Sequence, residues 1–481
     1  MRITVLVTAS LCLGSTVSIV HGGFIKRKDG NRQDVAQDTC QKLQSKLGTT
    51  VVQTDGSDEW STTIDAPWNL ANDGVEPACI VFPYDYTHVS AAMKEIFNNG
   101  ANYAVQAGSH TAMQGWNVVE GGVLITFSHM KNASYSLETD TITLQPGLDW
   151  ESAIIATERF GVAPLGARVR DVGTGFLLGG GISFLSPQYG FGSDMFKELD
   201  VVLPNGDFVT ANANNQYSDL FWALKGCANQ CGIHPASASA EVVDAITEFN
   251  IREDPKASAY FYLTLFVTLS LKIDLVIMTL FNQNTNPDGT TYEFSDSYIF
   301  YHGAELPDSI FGKLLSIPSI SQDLKPLSYY DVATFVGKYP KGNIQLFGGG
   351  ANYRNSVELK ATHANWLNFT RTMAAEIHQS YLAYTPLLTP MINAGRQRGG
   401  NPMDAPTGGY VTINFGLTLP AGVTTVSEEL QNARLLLMKQ SPPSPGLPLY
   451  IGEIDRTQDA YATYNQYEKL KQVHDKYDPT K

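Results

Sequence analysis

The sequence predicts an α+β fold rather than a doubly wound parallel sheet, and three observations carry that expectation. Strand-like and helix-like segments interleave, but the helices are few. Hairpins occur, the clearest being ELDVVLPNGDFVTAN with Asn205-Gly206 at its turn. The glycine-rich segment VGTGFLLGGG does not fit a dinucleotide-binding βαβ unit: position 178 is leucine, and neither the following helix nor the distal acid is in place. Nor is it a Walker A loop, because Gly-Lys-Ser/Thr is absent. A chain of 481 residues suggests two or three domains, and 43% hydrophobic residues can fill a sizeable core.

From the N-terminus, MRITVLVTASLCLGSTVSIVHGG pairs a positive Arg2 with an apolar run rich in small residues, the pattern of a secretory leader over residues 1–22. A polar stretch follows, with a short helix at QKLQSKLG and a loop holding Trp60 and Trp68. PACIVFPYDY opens a strand–helix–strand pattern, with the helix at Thr87–Asn99 and the second strand at Asn102–Gln106. GGVLITFS and TITLQPG read as further strands, Trp150–Phe160 as a helix, and NQYSDLFWALKG as the helix closing this part. From Glu241 the composition changes. EVVDAITEF, several strands, an amphipathic stretch from Asn355 to Ser380 and the strand YVTINFGLTLP suggest a second α+β domain. NQYEKLKQVHDKYDP reads as a helix with a proline stop.

The formal net charge of −14 argues against nucleic acid and anionic membrane surfaces as partners, since both need basic patches. Cys12 lies in the leader; Cys40 and Cys79 flank the start of the first folded region and are expected to pair. Cys227 and Cys231 form a second bridge or remain two thiols, and no Cys/His pair at ligand spacing indicates a metal. Sequons at Asn132-Ala-Ser134 and Asn368-Phe-Thr370 agree with secretion. The apolar run Ala259–Phe281 contains Lys272 and Asp274, so it reads as two buried strands rather than a membrane span.

Within AVQAGSH the chain loses its side chains just where His110 stands, and glycine there lets a ligand approach the backbone closely. The cluster of Gly173, Gly175, Gly179, Gly180 and Gly181 can present N–H groups to an anion or simply make a tight turn.

The order PACIVFPYDYTHVSAAMK, AVQAGSH, GGVLITFSHM, TITLQPG, DVGTGFLLGGGISFLSPQYG, DVVLPNG, DLFWALKG resembles the secreted FAD-linked oxidases of the vanillyl-alcohol oxidase/PCMH fold, in the berberine-bridge-enzyme-like branch. The likeness is close over residues 40 to 232. It implies a PCMH-type FAD-binding domain of two α+β subdomains over 40–240, an α+β substrate domain with an antiparallel sheet over 241–447, and a C-terminal segment, 448–481, returning to the FAD domain. It also implies FAD bound covalently through His110, with the second glycine of the family's Gly-Gly-His replaced by Ser109. Gln106, Ala107, Gly108 and Ser109 would wrap the pyrophosphate, while Asp171, Val172, Gly173, Thr174, Gly175, Gly179, Gly180 and Gly181 would line the flavin, with Ile233 nearby. A second link, through cysteine in some relatives, has Val169 in its place, so a single link is expected.

After DLFWALKG the family's Gly-Gly-Asn-x-Phe-Gly-Ile-Val-Thr is reduced to Gly232-Ile233, and a strand that packs beside the flavin is missing. The family's C-terminal Tyr-x-Asn-Tyr-x-Asp becomes YIGEID, which makes Tyr450 and Glu453 the candidates for the base, with Tyr410 in GGYVTINFG behind them. The resemblance implies hydride transfer from an alcohol, sugar or secondary-metabolite substrate to flavin N5 and reoxidation by oxygen. The departures raise a competing reading, a secreted binder on a decayed oxidase scaffold. A nicotinamide-dependent dehydrogenase is disfavoured by the missing fingerprint and the leader.

Overall fold

The computed structural model describes residues 2–10, 30–54, 56–226, 257–260, 280–285, 291–296, 298–301, 307–316, 327–334 and 341–478. Two sheets with parallel strands and one antiparallel sheet emerge, an α+β architecture as expected. The first sheet has the order β2-β3-β5-β4, from β2 (Val52–Gln53), β3 (Cys79–Val81), β4 (Tyr103–Gln106) and β5 (Val123–Thr126). β3, β5 and β4 run parallel, so their carboxyl ends open on the same side. The helix Tyr86–Asn99 covers this sheet; Asp85 caps its start and left-handed Gly100 its end.

The second sheet places β1 (Arg2–Ser10) between β7 (Thr141–Leu144) and β8 (Phe196–Val202), parallel to both, with β6 (Ala133–Ser136) and β9 (Phe208–Asn212) outside. The segment read from sequence as a leader is therefore drawn as the middle strand, and a chain cleaved near residue 22 would lack it. The β8–β9 hairpin turns at Asn205-Gly206, as expected, with Gly206 at φ 85°.

The third sheet is antiparallel, in the order β12-β11-β15-β16-β14. Its strands are β11 (Leu280–Thr285), β12 (Thr291–Asp296), β14 (Gln345–Asn352), β15 (Gln379–Leu387) and β16 (Tyr410–Thr418). A separate pair joins β10 (Ala257–Tyr260) to β13 (Tyr298–Tyr301). Alternation assigns the faces of the third sheet. Ser380 is hydrogen-bonded by Trp366 Nε1, and the Tyr384 hydroxyl donates to Leu359 O, so even-numbered β15 residues face the helix Ser356–Thr372. Tyr381, Ala383, Thr385 and Leu387 then take the other face, toward Arg168 and Glu453, together with their partners Gly416, Asn414, Thr412 and Tyr410.

The amphipathic stretch expected from Asn355 to Ser380 is a helix only to Thr372 and then becomes β15. Its strand part is buried on both faces, which removes the alternation that marks a half-exposed strand. The helix expected at QKLQSKLG is the end of a longer one, Gly30–Leu47. EVVDAITEF, Cys227, Cys231, Ile233 and most of the run Ala259–Phe281 lie outside the described residues. Among the described residues no helix is long and apolar enough to cross a membrane.

Cys40 and Cys79 form a disulfide that ties the helix Gly30–Leu47 to β3 across 39 residues of sequence. Chain-entropy reasoning gives a cross-link of that span about 4 kcal/mol. The double substitution Cys40→Ala/Cys79→Ala should lower unfolding free energy by about that amount in denaturant titration.

Candidate cofactor-binding and active site

The site is built where the parallel strands end. β4 finishes at Gln106, and the chain turns through Ala107, Gly108 and Ser109 to His110. A Cβ placed on Gly108 would lie 2.5 Å from Gly173 Cα, and one on Gly173 would lie 2.5 Å from Gly108 N. The two loops therefore touch backbone to backbone, and neither position has room for a side chain. Ser109 takes φ +56°, the left-handed region that glycine occupies freely. Its non-glycine residue is the family departure noted above, and the backbone keeps the glycine-like shape.

His110 is buried, and neither ring nitrogen has a hydrogen-bond partner. Burial pulls its pKa to about 4, so the imidazole is neutral at ordinary pH. Nε2 sits 3.6 Å from Asp171 Oδ1, beyond a normal hydrogen bond. The Trp68 indole lies flat on the ring, with centroids 4.6 Å apart and planes 10° from parallel.

Three more buried polar side chains without partners gather on the same domain: Gln106 Nε2, both amide atoms of Asn117, and Ser128 Oγ. Gln106 ends β4, Asn117 follows in the same loop, and Ser128 lies just past β5. Buried polar groups are normally satisfied, and unsatisfied ones in the loops after β4 and β5 make this edge of the sheet a candidate ligand site. These residues suit a large polar cofactor.

The glycine cluster divides by role. Gly173 is required by Gly108, whereas Gly175 has open space around its Cα. Thr174 is tied down by its hydroxyl to Pro146 O and its N–H to Leu148 O; Val172 O accepts from Trp150 N. Gly179 ends a short 3₁₀ turn, Gly180 and Gly181 have φ 104° and 86°, and added side chains there would meet Phe191, Met403 and Phe176.

On the opposite side, Glu453 is buried and paired with Arg168 Nη2 at 2.5 Å, while Arg168 Nη1 donates to Thr385 Oγ1. Glu453 Oε2 has no partner. Burial raises the Glu453 pKa and Arg168 opposes it, leaving the carboxyl above its ordinary value. Asn414 Nδ2 donates to Glu453 O, and Arg434 grips Asp455 and Phe347 O, fixing the YIGEID segment to the antiparallel sheet. Tyr450 is buried and stacks on Phe191, with centroids 6.5 Å apart. Tyr410 is buried on the same face as Thr412 and Asn414; its hydroxyl has no partner, and burial raises its pKa.

Sequence reading did not single out Trp68, Asn69, Asn72 or Arg168. The signal for the first three was an aromatic and two amides, WNLAN, in a loop with little else to bury.

Fold and site together define a flavoprotein oxidoreductase. The family model for an FAD binding domain matches residues 77–212. An uncharacterized FAD-linked oxidoreductase of Arthroderma benhamiae is 26% identical over 461 residues, covering 88% of this chain and 89% of that protein. The structure of 6-hydroxy-D-nicotine oxidase from Arthrobacter nicotinovorans matches with a TM-score of 0.67 at 17% identity, over 89% of this chain and 95% of that one. A BBE-like protein of Physcomitrella patens matches with a TM-score of 0.66 at 18% identity, over 92% and 96%. Residues 77–212 thus carry an FAD binding domain, and the chain shares the fold of these flavoproteins and is similar along most of its length to an FAD-linked oxidoreductase.

Gly173→Ala should disrupt the loop contact, lowering both thermal stability and FAD content. Gly175→Ala should leave the melting temperature within about 2 °C, since an open site costs little. Equal losses in the two variants would contradict the backbone-contact account.

Proposed function

We propose that this oxidoreductase removes a hydride from an alcohol, sugar or secondary-metabolite C–H and passes the electrons to dioxygen. The observation that carries the reading is the set of buried, unsatisfied atoms on Gln106, His110, Asn117 and Ser128, in the loops that follow the parallel strands β4 and β5. The relative named as a nicotine oxidase supports the oxidase reading. FAD, when bound, supplies a hydride acceptor and a route for electrons to oxygen.

In this reading the main chain from Gln106 to His110 holds the pyrophosphate, and the segments Asp171–Gly175 and Gly179–Gly181 lie along the flavin. His110, neutral and with both nitrogens unpartnered, would hold the flavin by a single covalent link. Val169 offers no thiol for a second link.

Glu453 accepts the substrate proton at Oε2, while Arg168 holds the other oxygen in place. Tyr410 stays protonated and donates from its hydroxyl, because burial raises its pKa. Tyr450 is the second candidate for the proton, held by its stack on Phe191.

A base must be ionised to work, so the rate should rise with pH through the raised pKa of Glu453, above its ordinary value of 4.5. Glu453→Gln should slow flavin reduction by about a hundredfold or more with FAD content unchanged, measured by stopped-flow absorbance. An unchanged rate would remove Glu453 from the chemistry and move the role to Tyr450.

Secretion is part of the same proposal, supported by the leader pattern, the Cys40–Cys79 bridge and the exposed Asn132 sequon. Protein recovered from culture medium should lack about the first 22 residues and lose mass on deglycosylation. Recovery with Arg2 still present would show instead that β1 stays in its sheet.

A further inference from the structure

We propose that Trp68 is the positioning residue for His110, and that the segment Trp68–Asn72 is a strap that fixes the flavin-attachment loop; this rests on the reading of His110 as the attachment site. Trp68, Asn69, His110 and Asn72 are all buried, although the strap precedes the matched FAD domain in sequence.

The strap makes a continuous set of bonds. Trp68 N donates to Ser109 O at 2.9 Å, a carbonyl aimed by the left-handed turn at Ser109. Asn69 Nδ2 donates to Ala112 O at 2.7 Å, and Asn72 Nδ2 donates to Met113 O at 3.0 Å. Gly115 N donates back to Asn72 Oδ1 at 2.8 Å. The loop from Ser109 to Gly115 is thus held at four points by three residues of the strap, Trp68, Asn69 and Asn72.

The same strap reaches the antiparallel sheet. Asn69 Nδ2 also donates to Gln345 O, Asn69 Oδ1 accepts from Gln345 N, and Leu70 N donates to Asn343 O. Trp68 packs against Phe347 on β14, with ring centroids 6.2 Å apart. Asn69 therefore registers the attachment loop against the substrate domain.

With neither ring nitrogen hydrogen-bonded, the imidazole has Asp171 Oδ1 as a polar neighbour, 3.6 Å from Nε2 and too far to fix its orientation alone. The parallel indole face removes ring rotation and leaves both nitrogens directed along the plane of the stack, with Nε2 toward Asp171. A nucleophile held this way keeps its alignment before attachment begins, and misalignment of about an ångström in such a step costs on the order of a hundredfold.

The test is the fraction of flavin that stays with the protein after acid precipitation, alongside total FAD content and melting temperature. Wild type, His110→Ala, Trp68→Leu and Trp68→Phe are compared. The proposal expects covalent flavin in wild type and none in His110→Ala. In Trp68→Leu, which keeps apolar volume but loses the flat ring, attachment of added FAD should slow by about tenfold to a hundredfold. Trp68→Phe should restore most of the rate. Full and fast attachment in Trp68→Leu would overturn the proposal, and so would equal slowing in Trp68→Phe and Trp68→Leu. Failure of the attachment reading shows differently, as acid-released flavin already in wild type, and it takes the proposal down with it. If Trp68→Leu does not fold, Asn69→Ser, which loosens the strap and leaves the indole in place, is measured against Trp68→Phe; wild-type rates in both would also overturn it.

Discussion

The backbone of Gly108 lies against the backbone of Gly173, with no space for a side chain on either, and the rest of the site follows from that contact. It brings the loop after β4 onto the loop before the glycine cluster. His110 and Asp171 then come within 3.6 Å although 61 residues separate them in sequence. A larger residue at either glycine would push the loops apart and move the imidazole with them. The left-handed turn at Ser109 is the second half of the constraint, because it sends one carbonyl to Trp68 and the next side chain into the core.

Around this contact the protein divides its labour between rigid packing and unsatisfied polarity. The C-terminal segment is tied down beside the antiparallel sheet by paired charges: Arg434 with Asp455, and Arg168 with Glu453. Burying such pairs is costly unless both partners are in place, so each fixes a particular arrangement of the C-terminal segment. The Arg168–Glu453 pair joins the cofactor domain to a segment 285 residues later and ends in one unpartnered carboxylate oxygen. The same economy appears at His110, where burial keeps the ring neutral and its nitrogens are left without partners.

Local chemistry was the legible part of the sequence. The Asn205-Gly206 hairpin, the Cys40–Cys79 bridge, the helix after Asp85 and the strand at YVTINFGLTLP all follow from turn residues, caps and apolar runs that act over a few positions. The order of motifs was enough to reach the FAD domain. Two kinds of feature were out of reach. β15 is buried on both faces, so its sequence continues the helix-like pattern before it. The strap and the Arg168–Glu453 pair are long-range contacts: Asn69 meets Gln345 across 276 residues, and nothing local in WNLAN or GARVRDVG announces the partner. Placement of residues 2–10 within a sheet is of the same kind, since an apolar run reads equally as a leader and as a parallel strand.

The most direct test of the account is the visible absorption of the purified protein, with flavin counted per chain after reconstitution with FAD. The account predicts flavin bands at one flavin per chain, and loss of that flavin when Gln106, Asn117 and Ser128 are replaced together by alanine in a chain that still melts cooperatively. A colourless protein that takes up no FAD, or a triple variant that binds FAD as well as wild type, would contradict the placement of the cofactor at the carboxyl ends of the parallel strands.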